Sequence, residues 1–507
     1  MPFDLRGGRP RPTAARRLTV AVAALTSIVI MTGAVGGWGA LTYFDARTHR
    51  AAIGDLGANR PAAREGAKNF LLVGTDDRAG LGGMRSDTTI LAHLGEDGKV
   101  TLISFPRDTL VVMPAYTDSA GKVHPPSEEK FNSAIANGGP TLLIKLVEAL
   151  TRVRIDHYIS VDLAGFRTIT EVIGGVDVCI TERNVTDRFT NDDGKWVSST
   201  NTNDPMSGFR GGPGHIQISG EQALAFVRQR HGLPGWDIGR TKRQQYFLSR
   251  ILAKVREDGV LTSPARVSGL LSAVGDALTY GEGTSTTDVT QLASRLQGVS
   301  NGSLGLQTLL THAPTKAEGA IDENKGELSK RLGAVQLYNQ SDLDAVFGPF
   351  TGDHGDAAGG GDARISVLNG SGAAGVVAKV VRDLGARGIS ADNGGNAAYN
   401  NYKATWIRYG AGAETTARKL LSQIPVARLM ADDDLDGGVQ VIVGSTYKGL
   451  ADLPAPTATQ ASGAQALAAG TGATGPATAA TSATAGAATQ PAGSTAPAPA
   501  PPTDCVY

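Results

Sequence analysis

The stretch Asn69-Phe70-Leu71-Leu72-Val73-Gly74-Thr75-Asp76-Asp77-Arg78 is a short apolar run that ends in a glycine and then in three consecutive charged residues. Residues 69–73 read as a strand, because the run is short, apolar and bounded by turn signals. Thr88–Leu94 and Val100–Phe105 have the same character. The first is preceded by Arg85-Ser86-Asp87 and the second is followed by Pro106-Arg107-Asp108. Pro140 then opens a helix whose apolar positions are Leu142, Leu143, Leu146, Val147 and Leu150, with proline at a tolerated first-turn position. His157–Val161 is a further strand and Asp162 a cap for a helix that buries Phe166, Ile169 and Ile173. Gly174-Gly175 stops that helix, and Val176–Ile180 returns as a strand. The fold class is α/β.

Charged groups gather where these strands end, and in open α/β sheets ligands bind at such edges. Asp76 and Asp87 suit a hard cation, while Arg85 and Arg107 suit phosphate. Mg²⁺ typically takes one or two carboxylates and lets substrate phosphates complete its shell. Carboxylates beside a phosphate site make electrostatic sense with such a cation between them. Singly, each residue has a plainer reading. Asp76 or Asp77 fits an Asx-turn, Asp87 a strand-edge charge, and Arg107-Asp108 an exposed pair worth little.

A second cluster lies further on. Arg228-Gln229-Arg230 ends a helix-like run from Ser219 to Val227, and Asp237 and Arg240 follow closely. Such close guanidinium groups repel unless something anionic holds them, and the arginine fork matches phosphate oxygens in pairs. A solvated helix end complementing the helix dipole is the alternative. Ser219 and Gln222 have capping-box spacing, and helical patterning resumes over Thr241–Arg256. Further helices are expected up to about Phe350.

Lys+Arg and Asp+Glu both total 48, a balance that argues against a protein that coats nucleic acid. Arg6, Arg9, Arg11, Arg16 and Arg17 precede an uncharged stretch from Leu18 to Leu41, with Trp38, Tyr43 and Phe44 at its far end. That stretch is long enough for one membrane-spanning helix, and the arginines keep the near side cytoplasmic. The expected layout is a basic segment at 1–17 and a single transmembrane helix at 18–44, with everything later outside the cell membrane. A cleaved signal peptide competes, but its apolar region is normally shorter and ends in a small-residue cleavage motif.

Residues 45–66 read as a stalk and 186–214 as a long polar surface loop. Residues 351–363 are a linker by composition. A small α/β domain is expected at 364–448, with strands at Arg364–Leu368, Ala404–Tyr409 and Val439–Val443 and helices at Ala373–Arg387 and Ala413–Gln423. Residues 449–507 are dominated by Ala, Thr, Pro and Gly and cannot build a core. The closing Asp504-Cys505-Val506-Tyr507 breaks that monotony without a derivable reason. Cys179 and Cys505 fall in an oxidising compartment where a disulfide is allowed, and nothing in the sequence shows that they meet.

The ordered motifs carry a resemblance. Asn69–Arg78, Arg85-Ser86-Asp87-Thr88, Ser104-Phe105-Pro106-Arg107-Asp108 and Lys130-Phe131-Asn132-Ser133-Ala134 come first. Ile155-Asp156-His157-Tyr158, Gly174-Gly175-Val176-Asp177-Val178 and Gly220 through Arg230 follow, and Asp237-Ile238-Gly239-Arg240 and Arg243-Gln244-Gln245 close the series. Together they resemble the LytR-CpsA-Psr family of cell-wall glycopolymer ligases over about residues 64–255. Residues 364–448 resemble the LytR carboxyl-terminal domain through their VLNGSG and IRYG segments.

The resemblance implies an α-β-α sandwich with a central mixed sheet, in a catalytic domain spanning 64–350, that holds a polyprenyl chain in an apolar cavity with the pyrophosphate at its mouth. It implies a phosphotransferase that moves a glycopolymer from a polyprenyl-pyrophosphate carrier to a peptidoglycan sugar hydroxyl, with Mg²⁺. On this chain Asp76 and Asp87 would bind the metal, and Arg85, Arg107, Arg228, Arg230 and Arg240 the pyrophosphate. Arg107 and Asp237 would be catalytic, Asp237 as a base or as a residue orienting the arginines. A polyprenyl-pyrophosphate phosphatase and a non-enzymatic lipid- or wall-binding scaffold are the alternatives.

Overall fold

The computed structural model describes residues 49–57, 60–76, 85–182, 185–191, 193–257, 275–298, 304–351, 363–424, 426–432, 434–451 and 505–507. The expected basic segment and membrane helix, Asp77, the linker between 351 and 363, and residues 452–504 lie outside these. Among the described residues no helix is long and apolar enough to cross a membrane.

Seven strands form the central sheet: β1 (His49–Ala51), β2 (Lys68–Asp76), β3 (Arg85–Leu94), β4 (Val100–Phe105), β5 (His157–Asp162), β6 (Leu278–Gly281) and β7 (Leu304–Thr308). Their order is β1-β6-β5-β2-β3-β4-β7. β2 runs antiparallel to β3 and parallel to β5, so the sheet is mixed. β1 was expected as stalk, yet it pairs in parallel with β6. Its three residues carry no strand signature. The pairing is supported by Arg50, whose Nη1 donates to the Thr284 carbonyl at 2.5 Å.

The helices are α1 (Ala134–Thr151), α2 (Leu163–Val172), α3 (Gly220–Arg228), α4 (Asp237–Glu257) and α5 (Thr286–Gly298). Side chains alternate across a strand, and here that alternation separates two cores. Leu71, Val73, Leu91 and Ile103 pack with Leu143, Leu146 and Val147 of α1 on one face. Phe70, Ile90, Ala92 and Leu102 pack on the other, with Leu248 of α4 and Leu292 of α5. Each fully buried leucine contributes about 1.5–3 kcal/mol. Pro140 starts the long part of α1, after a break at Gly138-Gly139 where Gly139 takes φ 66°. Asp162 caps α2, its side chain accepting from the Gly165 amide at 2.6 Å.

Several expectations need correction. Residues 186–214 are not a loop. Thr186–Thr190, Trp196–Thr200, Asn203–Asp204 and Phe209–Arg210 form a four-stranded antiparallel sheet, and Gly214–Ile218 pairs with Val176–Ile180. Much of this β-structure faces solvent, so Thr, Ser and Asp occupy positions where apolar alternation would have signalled strands. Ser219 precedes α3, but its side chain makes no cap hydrogen bond. Gln222 is used elsewhere, accepting from the Arg210 amide at 3.0 Å. The stretch up to Phe350 holds β6 and β7 as well as α5 and α6 (Gln340–Phe347).

The second unit is a five-stranded sheet built from β8 (Ile365–Asn369), β9 (Asp392–Asn396), β10 (Trp406–Tyr409), β11 (Arg428–Ala431) and β12 (Val439–Val443), with α7 (Val376–Gly385) and α8 (Glu414–Gln423). The expected strands and helices are present within a few residues. β9 and β11 were not expected. Asp392-Asn393-Gly394-Gly395-Asn396 is exposed throughout and carries no β signal. One face of this unit joins the first core through Tyr402, Trp406, Met430 and Ile442. At that seam the buried Glu128 accepts from the Lys403 and Ala404 amides and from Trp406 Nε1, at 2.7, 2.8 and 2.8 Å.

Candidate active site

Between the second sheet face and helices α2, α3 and α4 lies a cavity of about 630 Å³. Protein interiors are close-packed, with few voids larger than a water molecule, so an opening of this size is a candidate binding site. Leu72, Ile90 and Ile159 from the sheet, Phe166 and Ile169 from α2, and Ile251 from α4 form much of its apolar wall. Phe166 and Ile169 were expected to be buried. They are half-buried, because they face this cavity.

The mouth is charged. Asp76, Asp87, Arg107, Arg228, Arg230 and Arg240 all line it. Asp76 ends β2. Asp87 arrives by a local irregularity: Gly74 pairs with Thr88 and Thr75 with Ser86, which leaves Asp87 as the extra residue of a β-bulge. Bulges re-aim side chains next to functional sites. Arg107 follows β4 and donates from Nη1 to Asp87 Oδ1, and its Nε lies 3.5 Å from Asp108 Oδ2. Lys130 holds Asp108 in turn at 3.1 Å, and the Asn132 amide donates to the Arg107 carbonyl at 3.0 Å. The Lys130-Phe131-Asn132 motif therefore supports the Arg107 loop, and Asp108 is more than half of an exposed pair.

Arg228 is the last residue of α3, with Nη2 4.0 Å from Asp76 Oδ2. Gln229 leaves the helix with ψ 136° and is fully buried, while both flanking arginines reach the mouth. Arg240 lies in the first turn of α4 and is buried. The amino-terminal end of a long helix adds its own preference for an anion. The side chains of Arg85 and Asp237 lie outside the described residues. Their backbones place Arg85 opposite Asp76 and Asp237 at the start of α4.

Sequence reading missed Gln244, which lines the mouth and donates to the Val227 carbonyl at 3.2 Å. It also missed Gln229 and Arg243 as supports, although both sit inside quoted motifs. Among the described residues no group of three or more His, Cys, Asp or Glu side chains gathers around a metal position. Asp76 and Asp87 supply two carboxylates beside a row of guanidinium groups. That donor set fits a Mg²⁺ whose remaining ligands are phosphate oxygens and water.

An α/β sandwich with an apolar cavity whose mouth carries arginines and aspartates is the class these features define. The chain belongs to the LytR-CpsA-Psr family, whose description, LytR_cpsA_psr family, matches residues 42–321. A second description, LytR cell envelope-related transcriptional attenuator, matches residues 362–447. The chain is 27% identical over 450 residues to the cell wall biosynthesis protein LcpA of Corynebacterium glutamicum, covering 80% of each protein. It is 32% identical over 205 residues to the polyisoprenyl-teichoic acid–peptidoglycan teichoic acid transferase TagU of Enterococcus faecalis, covering 40% of this chain and 56% of that one. A solved LytR-Csp2A-Psr enzyme from Actinomyces oris aligns over 60% of this chain and 97% of its own, at 18% identity and a TM-score of 0.43.

Proposed function

We propose that this protein transfers a glycopolymer from a polyprenyl-pyrophosphate carrier to a sugar hydroxyl of peptidoglycan, on the outer side of the membrane in which residues 18–44 anchor it. The observation that carries the reading is one cavity with two chemistries, apolar along its length and lined toward its mouth by four arginines and by Asp76, Asp87 and Asp162. A polyprenyl pyrophosphate has the same division. The name of the Enterococcus relative, a transferase to peptidoglycan, supports the same class of reaction, and that of the Corynebacterium relative supports a role in cell wall biosynthesis.

The apolar wall holds the polyprenyl tail, so the pyrophosphate stops at the mouth. Arg85, Arg107, Arg228, Arg230 and Arg240 bind its oxygens as forks, which orients the bridge and screens its charge from an incoming hydroxyl. The acceptor oxygen forms a bond to the phosphorus on the glycopolymer side. The bridging P–O bond breaks, polyprenyl phosphate leaves with the electron pair, and the acceptor proton passes to solvent at the mouth. Fixed guanidinium groups stabilise the charge as it develops on the leaving phosphate. Asp76 and Asp87 would hold Mg²⁺, which when bound supplies Lewis-acid stabilisation of the phosphates. Asp237 orients the arginine row or, alternatively, serves as a base.

The test is transfer of a labelled glycan from a polyprenyl-pyrophosphate donor by the purified full chain in detergent. Label should enter peptidoglycan, and polyprenyl phosphate release should depend on the acceptor. Equal release with and without peptidoglycan would make the protein a phosphatase. Binding without release would make it a scaffold.

A further inference from the structure

Residues 505–507 return to the catalytic region and reach the arginine pair through buried polar groups. Cys505 is disulfide-bonded to Cys179, 326 residues earlier in the chain. Val506 then lies beside the strand Val176–Ile180 in a parallel bridge to Ile180: its amide donates to the Cys179 carbonyl at 3.0 Å, and its carbonyl accepts from the Thr181 amide at 2.7 Å. Its side chain packs on the cluster that includes Val178, Phe226 and Phe247. The main-chain oxygen of Tyr507 is thereby fixed where Arg243 Nε donates to it at 2.5 Å.

Arg243 is 1% exposed, and its guanidinium lies 4.3 Å from the Phe226 ring centre. Burial pulls it below the ordinary arginine range. A buried cation is tolerated only when its donors are satisfied, and three acceptors do that here. Nε donates to Tyr507, Nη2 to the Asn201 carbonyl, and Nη1 to Gln229 Oε1 at 2.7 Å. Gln229 is fully buried, and its Nε2 donates to the Thr200 and His231 carbonyls at 2.6 and 2.8 Å. It is the residue between Arg228 and Arg230. Its side chain is held inside the protein while theirs reach the mouth.

We infer that residues 505–507, anchored by the Cys179–Cys505 disulfide, form a strut that acts through Arg243 and Gln229 to fix Arg228 and Arg230 at the pyrophosphate position. The inference rests on the pyrophosphate reading proposed above. Arg243, Gln229 and Tyr507 are positioning residues and touch no substrate. Removing the Tyr507 oxygen leaves a buried guanidinium short of one acceptor. Arg243 must then move or admit water, and Gln229 loses its fixed partner. The polyprenyl tail lies against the sheet, α2, α3 and the part of α4 around Ile251, further along that helix than Arg243, so losing the strut should weaken the hold on the head group far more than the hold on the tail.

The test uses the full-length protein in detergent, with geranylgeranyl pyrophosphate and geranylgeraniol as probes. The ratio of their affinities measures what the head group contributes. Cys505 is exposed, so dithiothreitol reaches the bond in the folded protein. Reduction, and separately deletion of residues 505–507, should lower the pyrophosphate-to-alcohol ratio by about tenfold, the scale of one hydrogen bond to a charged group. Affinity for geranylgeraniol should change far less. Tyr507→Ala keeps the main-chain oxygen and should keep the wild-type ratio. An unchanged ratio after both reduction and deletion overturns the strut, as does an equal loss for both probes. A wild-type protein with no preference for pyrophosphate overturns the proposed function and the strut with it.

Discussion

Arg107 donates from Nη1 to Asp87 Oδ1, joining the loop after β4 to the bulged residue of β3. A residue proposed to bind phosphate thus holds one proposed to bind metal. Both side chains are about one-fifth exposed, at 18% and 22%. In the proposed reaction this pair would keep the carboxylate and the guanidinium in place until a pyrophosphate and its cation take them over. Arg107→Ala should lower kcat for transfer by about 10²–10³-fold, the cost of one transition-state donor of about 2.7–4 kcal/mol. Arg107→Lys retains the charge without the fork and should fall between. Transfer kinetics check this, and a rise in KM with kcat intact would reduce Arg107 to a ground-state binding residue.

The cavity wall gives an independent prediction. Ile169 on α2 faces the cavity, and Ile169→Trp would fill part of it without touching the mouth. Binding of a long polyprenyl pyrophosphate should weaken by about tenfold or more, equivalent to about 1.4 kcal/mol, while inorganic pyrophosphate binding stays at the wild-type level. Titration with the two ligands separates the effects. Parallel losses would place the pyrophosphate somewhere other than the end of this cavity.

Much of this was legible because strand ends and residue types are local signals. β2 and the aspartate at its end follow from Asn69–Asp76, although the strand runs on to Asp76, beyond the end at Val73 expected from the sequence, and the arginine row follows from the Arg228–Arg240 segment. Register is not a local signal, so the bulge that aims Asp87 could not be read. Nor could the meeting of Cys179 with Cys505 across 326 residues. Leu72 and Ile169 look like any core residue until a cavity lies beside them. Gln229 looked like a spacer between two functional arginines, because a buried amide and an exposed one share a sequence signature. The sheet within 186–214 escaped because strand propensity reflects burial as much as backbone preference, and much of that sheet meets water.

Glu128 offers a test of how the two folded units are joined. Burial pushes its carboxyl up, while three donors and Arg428 act in the opposite direction. Oε2 accepts from the Lys403 amide, and Oε1 from the Ala404 amide and Trp406 Nε1. Glu128→Gln can keep the Oε1 pair, but it turns an NH₂ toward the Lys403 amide, donor against donor. An unsatisfied buried group costs about 1–3 kcal/mol. Thermal unfolding should show a lower midpoint or a separate early transition for residues 363–451. A midpoint equal to wild type would mean that the seam yields locally.

Two buried histidines should contribute to the acid side of the stability profile. His93 on β3 is 5% exposed, and its Nδ1 lies 2.7 Å from Asn69 Oδ1. Burial, reinforced by Arg64 and opposed by Asp97 and Asp156, lowers its pKa from 6.5 to about 4. His157 on β5 packs against Phe70 and is also lowered by burial, against the pull of Asp288 and Asp156. The folded protein keeps both rings neutral while the unfolded chain protonates them near their ordinary value. The contribution of His93 is therefore complete above pH 6.5 and is lost as pH falls from there toward 4, and that of His157 is lost in the same direction. The unfolding midpoint should drop steadily between pH 7 and pH 5. His93→Gln can still donate to Asn69 but does not titrate, so it should flatten that slope while leaving the midpoint at pH 7.5 close to wild type. An unchanged slope in this variant would assign the acid sensitivity to other groups.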